Sequence, residues 1–237
     1  EDESIIELGM VKVLYSPSAK RIVSIVDVIS LYEDPGKPIP ELITELTGIT
    51  DDMVQGQHID DSLVTSWLSD DPLVVAHNSQ FDRPFFEKRF AALGHLSWAC
   101  SASGIDWKAL GFESRKLEYL LLRLGWFYEG HRAATDCLAM AWLFHLLPES
   151  VANLLSEADR RTVLVRAFGA PFDVKDYLKE RGYRWHDGVK GANKHWWREI
   201  SEDELPQEQT YLDDLYHRGS EHAHYDYKDA RNRFKAL

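Results

Sequence analysis

A histidine and two aspartates stand at positions where their side chains could act together. His131 and Asp136 are five residues apart in the segment His-Arg-Ala-Ala-Thr-Asp, where a predicted helix begins, and Asp82 ends the segment His-Asn-Ser-Gln-Phe-Asp. Carboxylate oxygens are preferred ligands of hard divalent ions such as Mg²⁺ and Mn²⁺, and an imidazole suits a general base near neutral pH. Two such ions about 3.5–4 Å apart can promote hydrolysis of a phosphodiester. The three side chains are therefore candidates for metal-dependent phosphodiester cleavage.

The spacing between His131 and Asp136 constrains where each can lie. Within one helix, five residues would place the two side chains roughly 140° apart with a rise of ~7.5 Å, which is poor convergence. We therefore expect His131 to precede the helix in a loop, and Gly130 directly before it permits such a turn. A lone Asp near a helix start is more often a cap than a metal ligand. It is the combination of these residues with Asp82 that favours a catalytic site.

The elements that must position these residues predict an α/β domain up to about residue 150, with a mixed sheet flanked by helices. β-branched and aromatic residues over 5–15 and 22–32 predict a β-hairpin. The other predicted elements of this domain are helices over 39–53 with Thr50 as a cap, 61–68, 116–124 and 134–147, and a strand over 98–101.

Asp82 is expected at the junction between a strand and a helix. The apolar run 73–76 predicts a short strand that is buried on both faces. Pro84 suits the first turn of the helix that follows. The apolar stripe of that helix is expected to comprise Phe81, Phe85 and Leu93.

A second, smaller α+β domain is predicted where the pattern restarts, over residues 160–237, after a connection over 148–161. Its predicted elements are a strand over 163–165, a helix over 171–181, paired strands over 183–185 and 195–200 around a turn at Gly188–Gly191, and a helix over 202–217. The chain is therefore expected to contain two domains, residues 1–150 and 160–237.

Composition favours a globular protein of a reducing compartment. The 237 residues are 44% apolar, and the two cysteines are too few for a disulfide framework or a zinc knuckle. No apolar run approaches the roughly 20 residues of a membrane helix, so we expect a cytoplasmic location. The net charge is −12, but residues 160–200 carry ten Lys and Arg against five Asp and Glu, which leaves −17 on the remainder. This separation fits an acidic metal-binding domain beside a basic module, although a solvated basic face is the commoner explanation.

Several segments in order resemble the DnaQ-like 3′–5′ exonucleases over roughly residues 4–147. The matching segments are Ile5-Ile6-Glu7-Leu8-Gly9-Met10-Val11, Leu46-Thr47-Gly48-Ile49-Thr50, Ala76-His77-Asn78 through Phe81-Asp82, Ile105-Asp106, Lys116-Leu117 and His131 with Asp136. The resemblance implies a ribonuclease-H-like fold and a Mg²⁺ or Mn²⁺ cofactor. It also implies that single-stranded or frayed 3′ ends of nucleic acid, DNA by preference, are substrates and that a DNA polymerase is a possible partner. By the same resemblance, Asp82 and Asp136 bind metal, His131 is the base, and Asn78 and Phe81 lie near the substrate.

One family feature is lacking, an Asp-x-Glu pair on the strand that precedes the first match. Only Glu1-Asp2-Glu3-Ser4 comes before it here, so we expect a fragment of a longer protein whose sheet lacks a central strand and leaves two strand edges unpaired. Two carboxylates offset less charge than four and offer fewer ligands. We therefore predict weak Mg²⁺ binding and little activity from these residues alone.

The C-terminal domain resembles a small domain appended to some bacterial exonucleases of this family. Interleaved aromatic and basic side chains on adjacent strands could stack bases and pair with phosphates, although a small core that needs its tryptophans for burial explains them equally well. Of Trp196 and Trp197, one should face the core and one the opposite side. The candidate nucleic-acid contacts are Arg184, Trp185, Trp196, Trp197 and Arg198.

Two other functions are compatible with these patterns. One is a non-catalytic module that binds nucleic acid or associates with a polymerase, which would hold if the longer protein also lacks the Asp-x-Glu pair. The other is an exoribonuclease that trims RNA ends, because recognition of the 2′-hydroxyl cannot be deduced from these residues.

Overall fold

A computed structural model describes residues 3–188 and 193–235. The chain divides into two compact units, one that runs through Ala158 and includes the segment from Phe234, and one that comprises Asp159–Arg233. Among the described residues, no single helix is long and apolar enough to cross a membrane, and the one helix pair that reaches that length and composition together is bent by 106°.

The first unit begins with the predicted β-hairpin, which is confirmed. Strand β1 (Glu7–Ser16) pairs antiparallel with β2 (Arg21–Tyr32), with register shifts after Lys12 and after Leu14. The many β-branched side chains favour this pleated pairing. Along β1, alternate residues point to opposite faces, so that Glu7 and Gly9 face one layer of helices while Leu8 faces the other.

A second pair of strands lies in the same unit. Strand β3 (Val74–Ala76) pairs in parallel with β4 (Trp98–Cys100), and both were predicted as strands. The run 73–76 packs against a hydrophobic cluster on each face, as predicted, although every residue of β3 is only partly buried. Within the described part of the chain, β3 pairs with β4 alone and β1 with β2 alone. The predicted unpaired edges are therefore present.

The two strand pairs share their hydrophobic layers. On one side, Leu8 and Met10 of β1 join Val74 and Ala76 of β3 in one cluster. On the other side, Tyr15 and Ile22 of the hairpin join Leu73 and Val75 in a second cluster. Each pair is thus covered on both faces by the same two layers of helices, and the mixed α/β fold is confirmed.

The helices of the first unit follow the sequence predictions closely. Asp60 caps α3 by accepting the N–H of Ser62 at 2.8 Å, whereas Thr50 precedes α2 without a side-chain cap. The predicted connection over 148–161 is a helix whose apolar side lies in the same core as α6. The helices are α1 (Glu41–Thr47), α2 (Asp51–Val54), α3 (Asp61–Trp67), α4 (Ser79–Arg89), α5 (Leu117–Arg123), α6 (Ala133–Leu146) and α7 (Pro148–Asp159).

The second unit contains a four-stranded antiparallel sheet in the order β6-β7-β5-β8. Three of its strands were predicted, and β8 was not. The predicted turn at Gly188–Gly191 lies largely outside the described residues. The elements are β5 (Thr162–Ala167), α8 (Lys175–Glu180), β6 (Arg184–His186), β7 (His195–Ser201), α9 (Leu205–Leu215), α10 (Gly219–His222) and β8 (Ala223–Lys228).

A buried carboxylate organises one side of this sheet. Glu208 of α9 is 1% exposed and accepts hydrogen bonds from the guanidinium groups of Arg181 and Arg198 at 3.1 Å each and from the hydroxyl of Tyr183 at 2.9 Å. Because a buried charge is tolerated only when it is paired and hydrogen-bonded, these two arginines are held inward beneath α9.

Gly9 provides a test of how closely α6 packs on β1. A Cβ atom at position 9 would lie 2.2 Å from the backbone nitrogen of Ala134. We expect Gly9→Ala to lower the free energy of unfolding by roughly 1–3 kcal/mol, the usual cost of overpacking, measured by urea denaturation. Ser24→Ala, at an exposed position of β2, is the control. Equal midpoints for Gly9→Ala and the unaltered chain would contradict the close packing.

Candidate active site

Asp82 lies in the first turn of α4. Strand β3 ends at Ala76, and Asn78, two residues later, is the N-cap of the helix. The hydroxyl of Ser79 donates to the carbonyl of Ala99 at 2.7 Å and ties the start of the helix to β4. The prediction that Pro84 lies in the first turn is wrong, because the helix starts earlier and Pro84 lies inside it. Strand β3 and helix α4 therefore hold Asp82 at the junction between them, next to β4.

Phe81 does not belong to an apolar stripe, contrary to the prediction. The buried face of α4 consists of Ser79, Arg83 and Phe86, since Arg83 can satisfy its guanidinium on Glu87 (2.7 Å) and on the carbonyl of Leu96 (3.3 Å). Phe81 is 59% exposed, with its ring 4.9 Å from that of Phe85. An exposed aromatic ring therefore stands next to Asp82 in the chain.

His131 precedes α6 in a loop, and this prediction is confirmed. It adopts the left-handed conformation with φ +69°, and its backbone N–H donates to Asp136 Oδ2 at 3.2 Å. Gly130 leaves room for this arrangement, because a Cβ atom there would lie 3.4 Å from Asp136 Oδ1 and 3.3 Å from Glu118 Oε1. The loop thus folds back over the first turn of α6 and leaves His131 exposed.

Glu7 is a positioning residue that sequence reasoning missed. Its side chain is 5% exposed, and it accepts the N–H of Ala133 at 2.8 Å and the guanidinium of Arg132 at 3.2 Å. Arg132 also donates to the hydroxyl of Tyr32. A carboxylate at a helix N-terminus satisfies a free N–H group and interacts favourably with the helix dipole. The only sequence signal was a charged residue within an apolar strand.

The carboxylates of the site disfavour each other's charge. Although Asp82 is an exposed residue, desolvation of its carboxyl raises its pKa to about 6, and the negative charge of Asp136 adds to the increase. Burial also raises the pKa of Asp136, while the hydroxyl of Tyr128 and the N–H of His131 oppose that shift. The two aspartates therefore lie close enough to interact electrostatically.

A third carboxylate, that of Glu7, lies near Cys137 together with those of Asp82 and Asp136. Burial, followed by the charges of Asp136, Asp82 and Glu7, raises the pKa of the Cys137 thiol to about 12. The thiol donates to the carbonyl of Gly9 at 3.3 Å. Cys137 is thus held as a neutral thiol among three carboxylates, and it packs α6 against β1.

The donor set fits a hard divalent ion in type but not in number. Asp82 and Asp136 offer carboxylate oxygens, and burial is the main cause that raises the pKa of each. Within residues 3–188 and 193–235, no group of three or more His, Cys, Asp or Glu side chains is arranged to hold a metal ion. The carboxylate of Glu7 already accepts hydrogen bonds from Ala133 and Arg132 at the start of α6. The described residues therefore supply part of a metal site.

A polar cleft of about 310 Å³ opens beside the start of α4. His77 forms part of its wall and is fixed by contacts of 2.8 Å with the hydroxyl of Ser101 and 2.6 Å with the carbonyl of Arg115, and burial lowers its pKa. The cleft is lined by His77, Asn78, Gln80, Cys100, Ala102, Ser103, Arg115, Lys116 and Phe234. Asn78, a predicted substrate-binding residue, therefore lines the same cleft as the positively charged side chains of Arg115 and Lys116.

The five candidate residues of the second unit do not lie on one surface. The predicted alternation is present, because Trp196 is 8% exposed in the core and Trp197 lies on the opposite face. Trp185 packs against Trp196, with ring centroids 5.2 Å apart. Trp196 fills the core and Arg198 is bound to Glu208, so these two predicted nucleic-acid contacts lie on the face opposite to Trp197.

A family model described as "Exonuclease" matches residues 1–144. The chain is 33% identical over 151 residues to DNA polymerase III PolC-type of Listeria welshimeri, covering 60% of this chain and 10% of that protein. It is 32% identical over 151 residues to the PolC-type polymerase of Bacillus subtilis, with the same coverage. The chain thus spans about a tenth of the length of these relatives.

Solved structures give weaker similarities. Exonuclease X in complex with 5′ overhanging duplex DNA is 20% identical, with a TM-score of 0.47 over 64% of this chain and 84% of that one. A full-length 3′-exonuclease is 19% identical, with a TM-score of 0.46 over 64% and 55%.

The bond between Glu7 and α6 can be tested by two substitutions. Glu7→Ala leaves Arg132 and the N–H of Ala133 without their acceptor, and we expect a loss of roughly 2–3 kcal/mol in the free energy of unfolding, below the figure for fully buried pairs because Arg132 is partly exposed. Glu7→Gln keeps an acceptor and should lose less. Urea denaturation measures both, with exposed Glu45→Ala as the control. A loss no larger than that of Glu45→Ala would contradict the positioning role.

Proposed function

The chain belongs to the exonuclease family, and we propose that its first unit hydrolyses phosphodiester bonds from the 3′ end of DNA. Membership confirms the family and the class of enzyme that the sequence predicted. The observation that carries the proposal is the electrostatic proximity of Asp82 and Asp136 beside the loop of His131. The name of the relatives, DNA polymerase III PolC-type, supports DNA over RNA as the substrate and a DNA polymerase as a partner.

The catalytic roles follow from the chemistry of each side chain. Asp82 and Asp136 would hold Mg²⁺ or Mn²⁺, since both offer hard oxygen donors. A bound divalent ion neutralises phosphate charge and lowers the pKa of water. His131, exposed at the tip of its loop, accepts a proton from the attacking water at a ring nitrogen. The bond from its backbone N–H to Asp136 sets the position of the loop.

The nucleic-acid strand is proposed to approach along α4 and the cleft. Phe81, 59% exposed beside Asp82, offers a ring on which a terminal base can stack. Asn78 offers a side-chain amide for hydrogen bonds with the nucleotide. Arg115 and Lys116 line the cleft and supply positive charge for the phosphates that follow. This unit is acidic overall, so a local pair of cations is what allows a polyanion to bind there.

We propose that the chain alone has low activity because the described residues bring only Asp82 and Asp136 to the metal site. Leu8 and Val74 belong to one hydrophobic cluster yet lie on strands that do not pair with each other. The edges of β1 and β3 provide a place for one further extended segment that would carry the remaining carboxylates. Without them, two negative charges face up to four positive charges, and ion binding is weak.

Activity on a labelled oligonucleotide tests this function. With a 5′-labelled single strand and Mn²⁺, we expect the chain to shorten the strand slowly from its 3′ end. Asp136→Asn and Asp82→Asn should each lower the rate at least tenfold, and His131→Ala by about 10²–10⁴. Asp52→Ala, at an exposed acidic position of α2, should retain the rate.

Three outcomes would contradict parts of this proposal. Equal rates for Asp136→Asn and the unaltered chain would show that the site lies elsewhere. A strand that stays intact at high Mn²⁺ while it still binds would favour the non-catalytic binding module. Rapid cleavage at low Mg²⁺, abolished by Asp136→Asn, would confirm the exonuclease site and contradict the proposed low activity of the chain alone.

Lys116 tests the role of the cleft in binding. We expect Lys116→Ala to weaken affinity for a single-stranded oligonucleotide and to reduce the slope of log Kd against log salt by about 1, the effect of one lost phosphate contact. Fluorescence anisotropy in EDTA measures the affinity without cleavage. Lys108→Ala is the matched control, because Lys108 is exposed in the same unit outside the cleft. Equal slopes for the two variants would contradict the role of the cleft.

A further inference from the structure

The sheet of the second unit has two chemically different faces. One face, with Val163, Val165 and Trp196, packs against α8 and α9 and provides all the strand residues of the core cluster in this unit. The opposite face, which we call the open face, contains alternate residues of the same strands. Apart from Thr162 and His195, which are buried, its side chains are exposed or partly exposed, so the open face is an aromatic and basic surface rather than a second core.

Aromatic rings follow one another across the open face. The ring of His195 lies 4.9 Å from that of Phe168 and 4.9 Å from that of His186, the latter in a stacked arrangement at 18°. Trp197 follows two residues after His195 on β7, about 6.6 Å further along the strand at the usual rise per residue. His195 is only 8% exposed, so the accessible rings are those of Trp197 and His186, both partly exposed, and each can take one base of an extended single strand.

Basic groups lie in the same cross-strand row as Trp197. The register places Arg184 of β6, Arg166 of β5 and His224 of β8 on one line with this ring. The guanidinium of Arg184 lies 5.5 Å from the centre of the Trp197 ring, and no carboxylate contact is described for it. Arg166 is paired with Asp226 at 2.6 Å. Arg184 is thus the cation on this face best able to bind a phosphate.

From this geometry we propose that the open face is a second binding site for single-stranded DNA, separate from the hydrolytic site of the first unit. Bases stack on Trp197 and on His186, the partly exposed ring that stacks on buried His195, and Arg184 binds the phosphate between them. Four-stranded sheets with exposed aromatic side chains can bind single-stranded RNA by base stacking, and stacking on aromatic rings serves single-stranded DNA as well. The acidic side chains of this face, Glu199 and Asp226, lie on the side of Trp197 away from His195, which directs the strand towards β6.

Binding measurements on the full chain test the proposal. With a fluorescein-labelled oligothymidylate in EDTA, we expect Arg184→Ala and Trp197→Ala each to raise Kd at least fivefold and Trp197→Phe to raise it less. Arg184→Ala should also reduce the salt slope by about 1. Arg161→Ala and Trp185→Ala are matched controls, since Arg161 is exposed before β5 and Trp185 is half-exposed on the other face. Both controls should change Kd less than twofold.

Unchanged affinity for Arg184→Ala would overturn the proposal, and so would equal losses for Arg184→Ala and Arg161→Ala. If Trp197→Ala fails to fold by circular dichroism, Trp197→Phe and Arg184→Ala still decide the question. The two proposals can fail separately. Asp136→Asn tests hydrolysis in the first unit, and an unchanged Kd in that variant would show that the second binding site does not depend on hydrolysis.

Discussion

The buried carboxylate of Glu7 is the contact on which the candidate active site depends. It joins β1 to the first turn of α6 through the N–H of Ala133 and the guanidinium of Arg132. Because the first N–H groups of a helix have no partner within it, this bond fixes where α6 starts. That start determines where the loop of His131 ends and where Asp136 points. The close approach of Gly9 and the thiol of Cys137 hold the same helix against the same strand.

The site concentrates negative charge at an energetic cost. Asp82 and Asp136 each have a raised pKa, and Cys137 stays neutral among them. The hydroxyl of Tyr128 is buried without a hydrogen bond of good geometry, and burial followed by the charges of Asp136 and Glu118 raises its pKa. A structure optimised for stability alone would avoid such a cluster, whereas sites that bind cations often contain one. This unfavourable electrostatic energy is what a bound cation would relieve.

Local patterns predicted much of the fold, and long-range contacts account for what they missed. The hairpin, α5, α6 and the loop position of His131 follow from neighbouring residues and from helix geometry. The role of Glu7 depends on a residue 126 positions away, which no local pattern contains. The error at Phe81 arose because Arg83 fills the buried side of α4 by bonding to Glu87 and to a backbone carbonyl. An arginine at a core position does not resemble an apolar stripe.

The second unit shows why a charge count from the sequence overstates a basic surface. The excess of positive charge over residues 160–200 includes Arg181 and Arg198, yet both are turned inward to a single carboxylate, Glu208. Glu208 lies outside the counted segment, on α9, so the count could not include its charge. Strand alternation separates Arg198 from Trp197 as well, since neighbouring residues face opposite sides of the sheet. Recognition of a polyanion by this sheet therefore depends on the position of a few side chains such as Arg184, and not on the net charge of the segment.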